Sequence, residues 1–208
     1  MRLRISWGIV LAVWSAAVVA YEEPSFRVVE SLEGYEIRDY DAYMVAETVV
    51  DGDFGSSGGA AFRILAGYIF GKNSAAPTPL TATGADSGES VKMSMTVPVT
   101  SHRVAKDADS ERYAYWFVME QQYDRETLPV PDDSRVEIRE VPARRVAVRR
   151  YSGRTTEANY LENLAALRSA LQRDGIPVTG PPQASVYNSP FTLPWRRRNE
   201  VMLEVAGD

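Results

Sequence analysis

Glu36-Ile37-Arg38, followed by Ala42, Val45-Ala46 and Gly52, is written a second time as Glu137-Ile138-Arg139, Ala143, Val146-Ala147 and Gly153, at a constant offset of 101 positions without a gap. Each copy runs on into a helical stretch and then a strand carrying Thr-x-Pro: Thr96-Val97-Pro98 in the first, Thr192-Leu193-Pro194 in the second. Internal repetition is read before any local feature, because it fixes the architecture. Two copies are too few to stack as a solenoid. The reading is one pseudo-symmetric domain with a cleft between its halves.

Outward from the first copy, Tyr35 to Val50 is rich in Val, Tyr and Ile and bends at Asp39-Tyr40-Asp41, which predicts one or two strands. Asp51-Gly52-Asp53 is turn chemistry. Gly55 to Gly59 is a flexible lead-in to a helix over about Ala60 to Phe70. On that helix Phe62, Leu65, Ala66 and Ile69 follow i, i+3, i+4, i+7 and form one apolar face. Ile64 and Tyr68 add bulk on another side. A helix apolar on two sides touches two things: the sheet, and either a ligand or the other helix. Lys72 to Ser90, rich in Ala, Pro, Thr, Gly and Ser, reads as a long loop. Val91 to Thr100 reads as strand, with Met93, Met95, Val97 and Val99 alternating. Asp107 to Ser110 is a hairpin turn before the apolar strand Tyr113 to Gln121. Leu128 to Ser134, with two prolines and two aspartates, joins the halves.

The second copy repeats the plan. Arg135 to Tyr151 reads as strand. Thr155 or Thr156 caps a helix that runs to about Arg173, and Asp174-Gly175-Ile176-Pro177 stops it. Gln183 to Tyr187 and Glu200 to Val205 are strands around the proline-bounded loop Asn188 to Pro194. Strand, helix, strands, twice over, predicts an α+β domain: one curved antiparallel sheet, nearly closed, with two helices packed beside it.

The chain has 208 residues and 45% hydrophobic content, enough for one domain with a proper core, or two small halves sharing one. Arg2 and Arg4 precede an apolar run from Ile5 to Ala20 that ends Val18-Val19-Ala20. This is the pattern of a signal peptide over 1–20, short for a membrane span; an uncleaved anchor is the other reading. Either places the domain, residues 21–208 with halves of about 21–127 and 135–208, outside the cytoplasm. Without Arg2 and Arg4 the 23 basic residues fall to 21 against 28 acidic ones, a net charge of about −7. That argues against a nucleic-acid partner. With no cysteine, disulfides, thiol catalysis, thiolate haem ligation and iron–sulfur clusters are all excluded.

Few residues carry chemistry. Gly55-Ser56-Ser57-Gly58-Gly59 matches G-x-S-x-G in letters, but the elbow needs a buried strand before it, and Asp51 to Phe54 is a polar turn. His102 is the sole histidine. It reads as a surface turn residue or, more sharply, as a haem iron ligand; it is also the only base a Ser57 nucleophile could use. The acid pairs Asp51/Asp53, Asp107/Asp109 and Asp132/Asp133 read as turn formers. Arg144, Arg145, Arg149 and Arg150 read as the charged defence of an edge or exposed strand. Arg196-Arg197-Arg198 after Pro194-Trp195 suits either a loop anchored by tryptophan or an anionic, planar ligand held by stacking and charge.

Ser94-Met95-Thr96-Val97-Pro98-Val99, Tyr115-Trp116-Phe117-Val118, and Tyr187-Asn188-Ser189-Pro190-Phe191-Thr192-Leu193-Pro194-Trp195 with Arg197-Arg198-Asn199-Glu200-Val201 resemble the SOUL haem-binding family, over roughly Tyr21 to Val205. The resemblance implies a distorted antiparallel β-barrel of two related halves in pseudo-twofold arrangement, flanked by two helices. It also implies haem or another tetrapyrrole in a shallow apolar cleft. The cleft wall would be Phe62, Leu65, Ala66 and Ile69 with Leu193, Pro194 and Trp195; Arg197 and Arg198 would meet the propionates. Positions that are basic at the cleft in some relatives read Gly67 and Leu193 here. Some members hold iron through a histidine and others by burial and charge alone; with a single histidine, this chain looks more like the latter.

The leading expectation is therefore a non-catalytic tetrapyrrole binder outside the cytoplasm, with haem the default ligand but not required for folding. A general small-molecule binding module or carrier is the second. An enzyme acting on a tetrapyrrole or ester, through Ser57, His102 or a cleft carboxylate, is the third. Membrane association would come through the N-terminal segment.

Overall fold

The computed structural model describes residues 21–76, 88–106 and 110–207. The leader at 1–20, the centre of the Ala/Pro/Thr loop and the Asp107/Asp109 turn lie outside the described residues. The first half supplies β1 (Phe26–Leu32), β2 (Tyr35–Tyr40), β3 (Tyr43–Asp51), α1 (Ser57–Ile69), β4 (Asn73–Ser74), β5 (Val99–Lys106) and β6 (Glu111–Val118). The junction and second half supply β7 (Val130–Pro131), β8 (Glu137–Val141), β9 (Arg144–Tyr151), α2 (Glu157–Arg173), β10 (Gln183–Val186) and β11 (Asn199–Glu204). Among the described residues no helix is long and apolar enough to cross a membrane.

Nine strands form one curled antiparallel sheet in the order β1-β2-β9-β11-β10-β5-β6-β3-β8, and β4 pairs with β7 apart from it. Read outward from the β10–β5 contact, the order is the same in both directions. The strands β5, β6, β3 and β8 match β10, β11, β9 and β2. Each half gives its leading strand to the other: β2 pairs with β9, and β8 with β3. The fold is α+β, a half-barrel flanked by two helices, as the repeat predicts.

Both helices lie on one face of the sheet. Directly opposed residues share a face, and the row Tyr115, Ser101, Ala184, Val201 crosses β6, β5, β10 and β11. At one end of that row Tyr113, Tyr115 and Phe117 pack with Ala61, Leu65, Tyr68 and Ile69 of α1. At the other, Val201 and Leu203 pack with Leu164, Leu167 and Leu171 of α2. The alternate residues point to the helix-free face. There Trp116 meets Val45 and Val141, and Met202 meets Tyr40, Val146 and Val148.

Local chemistry explains the element ends. The Asp53 carboxylate accepts the N–H groups of Gly55 (2.9 Å) and Ser56 (2.7 Å), so the glycine-rich lead-in is braced and α1 starts at Ser57. Thr156 caps α2 by accepting from Asn159 N–H at 3.4 Å. Past Asp174, Gly175 takes the left-handed conformation at φ 71° and Ile176 N–H reaches back to Leu171 C=O at 2.9 Å.

Two expectations need correction. Val91–Pro98 is irregular, and the strand begins only at Val99. Its backbone is tied piecemeal: Val91 to the Asn73 side chain, Met93 to Ile69 C=O, Ser94 to the Glu120 carboxylate and Val97 to Glu22 C=O. The arginines of β9 do not defend an edge, because β9 lies between β2 and β11. Three of them bond across the fold: Arg144 to Gln183 (3.0 Å), Arg145 to Asp39 (2.7 Å), Arg149 to Asn163 (3.1 Å) and Gly34 C=O (3.0 Å).

Candidate ligand-binding site

The apolar residues of α1 are split by the fold. Leu65 and Ile69, at 0% and 1% exposure, are withdrawn into the core beneath the helix and present nothing to a surface cleft. Phe62 is 43% exposed, its ring edge-on to Phe117 at 5.5 Å between centroids, and Ala66 is half-buried. The periodicity is as read, but the buried stripe is centred on Ala61, Leu65, Tyr68 and Ile69. One residue is about 100° of helix, so Phe62 and Ala66 sit on the shoulder of that stripe.

The loop from Asn188 to Arg198 is fixed by its own polar groups. The Asn188 side-chain oxygen accepts Arg198 N–H at 2.6 Å. The Arg197 guanidinium donates back to Thr192 C=O (2.8 Å) and Pro190 C=O (2.5 Å). Gly153 N–H holds Pro194 C=O at 2.9 Å, and Pro194–Arg196 makes a single 3-10 turn. On this braced loop Phe191, Leu193 and Trp195 are 94%, 48% and 70% exposed. Trp195 is thus not a core anchor. A cavity of about 500 Å³ lies against the loop, and its far wall is Arg154, Thr155 and Thr156 at the start of α2. Leu193, Pro194 and Arg197 line it together with Phe191.

Arg198 has a different task. Its guanidinium pairs with Glu23 (2.8 Å) and Glu200 (3.0 Å) and lies 3.6 Å over the Tyr187 ring. Glu200, with no exposure, also receives Arg38 (3.1 Å) and the Tyr187 hydroxyl (2.7 Å). Burial, and then the Glu200 charge, pushes the Tyr187 and Tyr40 phenols up, Tyr40 to about 12, so both remain neutral: Tyr187 donates to Glu200 and Tyr40 accepts from Arg38. The closing Arg-Arg-Asn-Glu motif therefore divides: Arg197 shapes the Asn188–Arg198 loop, while Arg198 and Glu200 lock the sheet.

His102 is neither in a turn nor near the loop's cavity lining. It lies within β5, half-buried, its ring edge-on to Trp116 at 5.4 Å. Trp116 points to the helix-free face, whereas Phe62 packs on Phe117 of the helix-bearing face. The sheet stands between His102 and α1, so the imidazole cannot be an axial ligand to a group lying against Phe62. Burial holds its pKa below the ordinary value, and Arg139 and Arg144 push the same way against Glu47. Ser57 is committed elsewhere too. It is 1% exposed, donates to Asp53 C=O at 2.6 Å and shares a 2.8 Å hydrogen bond with the Tyr115 hydroxyl, on the face away from His102. Among the described residues no group of three His, Cys, Asp or Glu could hold a metal ion. What the loop offers is apolar surface beside the cations of Arg154 and Arg197. That donor set fits a tetrapyrrole held by burial and charge.

Comparison with known proteins identifies the family. Residues 21–204 match the family model described as SOUL heme-binding protein. Heme-binding protein 1 of Sus scrofa is 30% identical over 135 residues, covering 62% of this chain and 68% of its own. Heme-binding protein 1 of Mus musculus is 31% identical over the same shares of each chain. Among solved structures, the C-terminal domain of EcmrR superposes with a TM-score of 0.60 at 10% identity, over 83% of this chain and 96% of that one. A hydrolase from Listeria innocua superposes with a TM-score of 0.57 at 14% identity, over 86% and 94%. At those identities the two structures speak for the fold alone. The sequence match, which takes in both halves and the closing motif, places the chain in the SOUL heme-binding protein family.

Proposed function

We propose that the chain binds haem or a related tetrapyrrole, without catalysis, outside the cytoplasm. The observation that carries this reading is the braced Asn188–Arg198 loop, which holds Phe191 and Leu193 in water beside the cations of Arg154 and Arg197. A tetrapyrrole face covering such side chains gains about 25 cal/mol per Å² buried, before association costs. An open site of this kind supports micromolar affinity, about −8 kcal/mol. The relatives' names support haem as the first ligand to try. The commitments of Ser57 and the far-face position of His102 leave no nucleophile–base pair between them, which favours binding over turnover. Export rests on Arg2, Arg4 and the apolar run to Ala20. The mass of the protein recovered from outside the cytoplasm tests it: a chain found only inside the cell refutes export.

Haem titration followed by Soret absorbance tests the binding. A saturable shift is expected, weakened about tenfold or more by Phe191→Ala with Leu193→Glu, both of which line the cavity, since losing one buried aromatic contact is worth about 1.5–3 kcal/mol. No saturable shift, or one indifferent to that double substitution, removes the reading. A general small-molecule carrier is the second reading, favoured by a cavity that offers cations and apolar surface but no metal ligands. Native mass spectrometry of the protein from its own compartment separates the two by the ligand it carries.

A further inference from the structure

Trp195 of the Asn188–Arg198 loop, 70% exposed, is not among the residues that line the cavity, so a ligand seated there leaves it in water. Phe191, at 94% exposure, is almost wholly in water, and Trp195 and Leu193 follow within four residues. Arg196 and Arg154 are exposed alongside, with no ion-pair partner among the described residues. The loop cannot collapse to hide its apolar tips, because Arg197 staples its carbonyls and Gly153 holds Pro194. Rigid aromatic and aliphatic tips among arginines suit the interface of an anionic bilayer: rings at the headgroup level, guanidinium groups on the phosphates.

A second, independent observation gives the direction. Arg198, at the end of this loop, pairs with Glu23 at 2.8 and 2.9 Å. Glu23 lies three residues after Ala20, the end of the apolar run, and three residues reach at most about 11 Å. Tyr21 between them is 52% exposed. The fold thus brings the point where the apolar leader joins the domain to the base of the aromatic loop. If the leader stays uncleaved in a membrane, its junction with the domain lies within that reach of Arg198, at the base of this loop.

We propose that the loop Pro190–Arg196 is a membrane-contacting element. Phe191, Leu193 and Trp195 enter the interfacial layer of an anionic bilayer, and Arg154 and Arg196 pair with lipid phosphates. The contact goes beyond the ligand reading: it uses the outermost tip of the loop and does not depend on which pigment, if any, is bound. With a pigment on Leu193, the same loop would load and unload at the bilayer surface.

The test uses the full chain in vesicles, without any tetrapyrrole. The Trp195 fluorescence is isolated as the component lost in Trp195→Phe, which removes the signals of Trp7, Trp14 and Trp116. Vesicles of phosphatidylcholine with phosphatidylglycerol, carrying brominated acyl chains, are compared with phosphatidylcholine alone. The expected result is quenching of Trp195 by the brominated lipid, stronger in the anionic vesicles. Arg196→Glu weakens the anionic preference at least about fivefold, since one cation near such a surface contributes about that factor. Phe191→Asp abolishes the lipid quenching and opens Trp195 to aqueous iodide. The proposal fails if Trp195 is quenched by iodide and untouched by brominated lipid in the native chain. It fails equally if Trp195 is shielded without lipid in proportion to protein concentration, which would make a second copy the occupant. Neither result bears on haem binding, which the Soret titration reads separately.

Discussion

The two halves use the same arginine for different ends. Arg38 and Arg139 occupy matching places in the repeat, and each lies over an aromatic ring: Arg38 over Phe26 at 4.5 Å, Arg139 over Trp116 at 5.3 Å. Each also pairs with carboxylate. Arg38 takes Glu200 and Glu36, and its side chain is 6% exposed. Arg139 takes Glu47 and is 32% exposed. The partners come from non-matching positions. The position opposite Val50 in the first half is Tyr113, and opposite Tyr151 in the second is Asn199, so Ala114 stands where Glu200 does. Matching places in the strand order carry a cation over a ring; what neutralises it differs. The buried version joins three strands through one carboxylate, while the other is a pair at the rim.

The largest effect should come from breaking that likeness. Arg38→Met strips a buried carboxylate of one of its two cations and should destabilise the fold by about 3 kcal/mol, within the range for a broken buried pair. Arg139→Met should cost about 1 kcal/mol or less. Urea unfolding of both variants reads the difference, and equal losses would mean that the two arginines do the same work after all.

The helices sharpen the contrast at a smaller scale. α2 carries its own start signal, and Thr156→Ala should cost about 1 kcal/mol. Ser56, before α1, makes no side-chain cap bond, and Ser56→Ala should be within about 0.5 kcal/mol of neutral. Thermal unfolding of the pair decides. A loss at Ser56 as large as at Thr156 would show that α1 depends on local capping rather than on its packing over Tyr115 and Phe117.

The smallest effect concerns His102, which only the first half has. Its folded-state pKa lies below the ordinary 6.5. As pH falls through about 6.5 the unfolded chain binds a proton that the folded chain refuses, so stability declines below that point and is level above it. His102→Gln should flatten the decline below about pH 6.5. A profile unchanged by the substitution would place the imidazole in ordinary solvent.

The sequence was most legible where the physics is local. Alternating Tyr113, Tyr115 and Phe117, the apolar stripe of each helix, the Thr156 cap and the Gly175 stop are short-range signals, and the strands and helices appear where those signals lie. The doubled Glu-Ile-Arg motif carried the topology, because a repeat implies its own symmetry. The site was less legible. Leu65 and Phe62 are both apolar and on neighbouring turns, and only packing tells which of them faces the sheet. Arg197 and Arg198 are adjacent and identical in type, yet one staples a loop and the other, just before β11, neutralises Glu200 2 residues on. His102 resembled a turn residue because its strand begins only at Val99, after a segment whose alternating Met and Val pattern looked like strand and is not. β1 went unread because five of its seven residues are exposed, leaving no alternation to see.

The exchange of leading strands between halves sets a timetable for a chain made from its N-terminus. When the first 130 or so residues have emerged, β3 lacks β8, and β2 has β1 beside it but not β9. Neither half can close its own hydrogen-bond ladder. β3 and β2 gain those partners only once Tyr151 has arrived, and the sheet closes only with β10 and β11, which end at Glu204, so most long-range pairing comes late, and non-local pairing of this kind is slow. Until then β2 and β3 stay open-edged, and a single half, cut free, would find its missing strand only on another copy of itself.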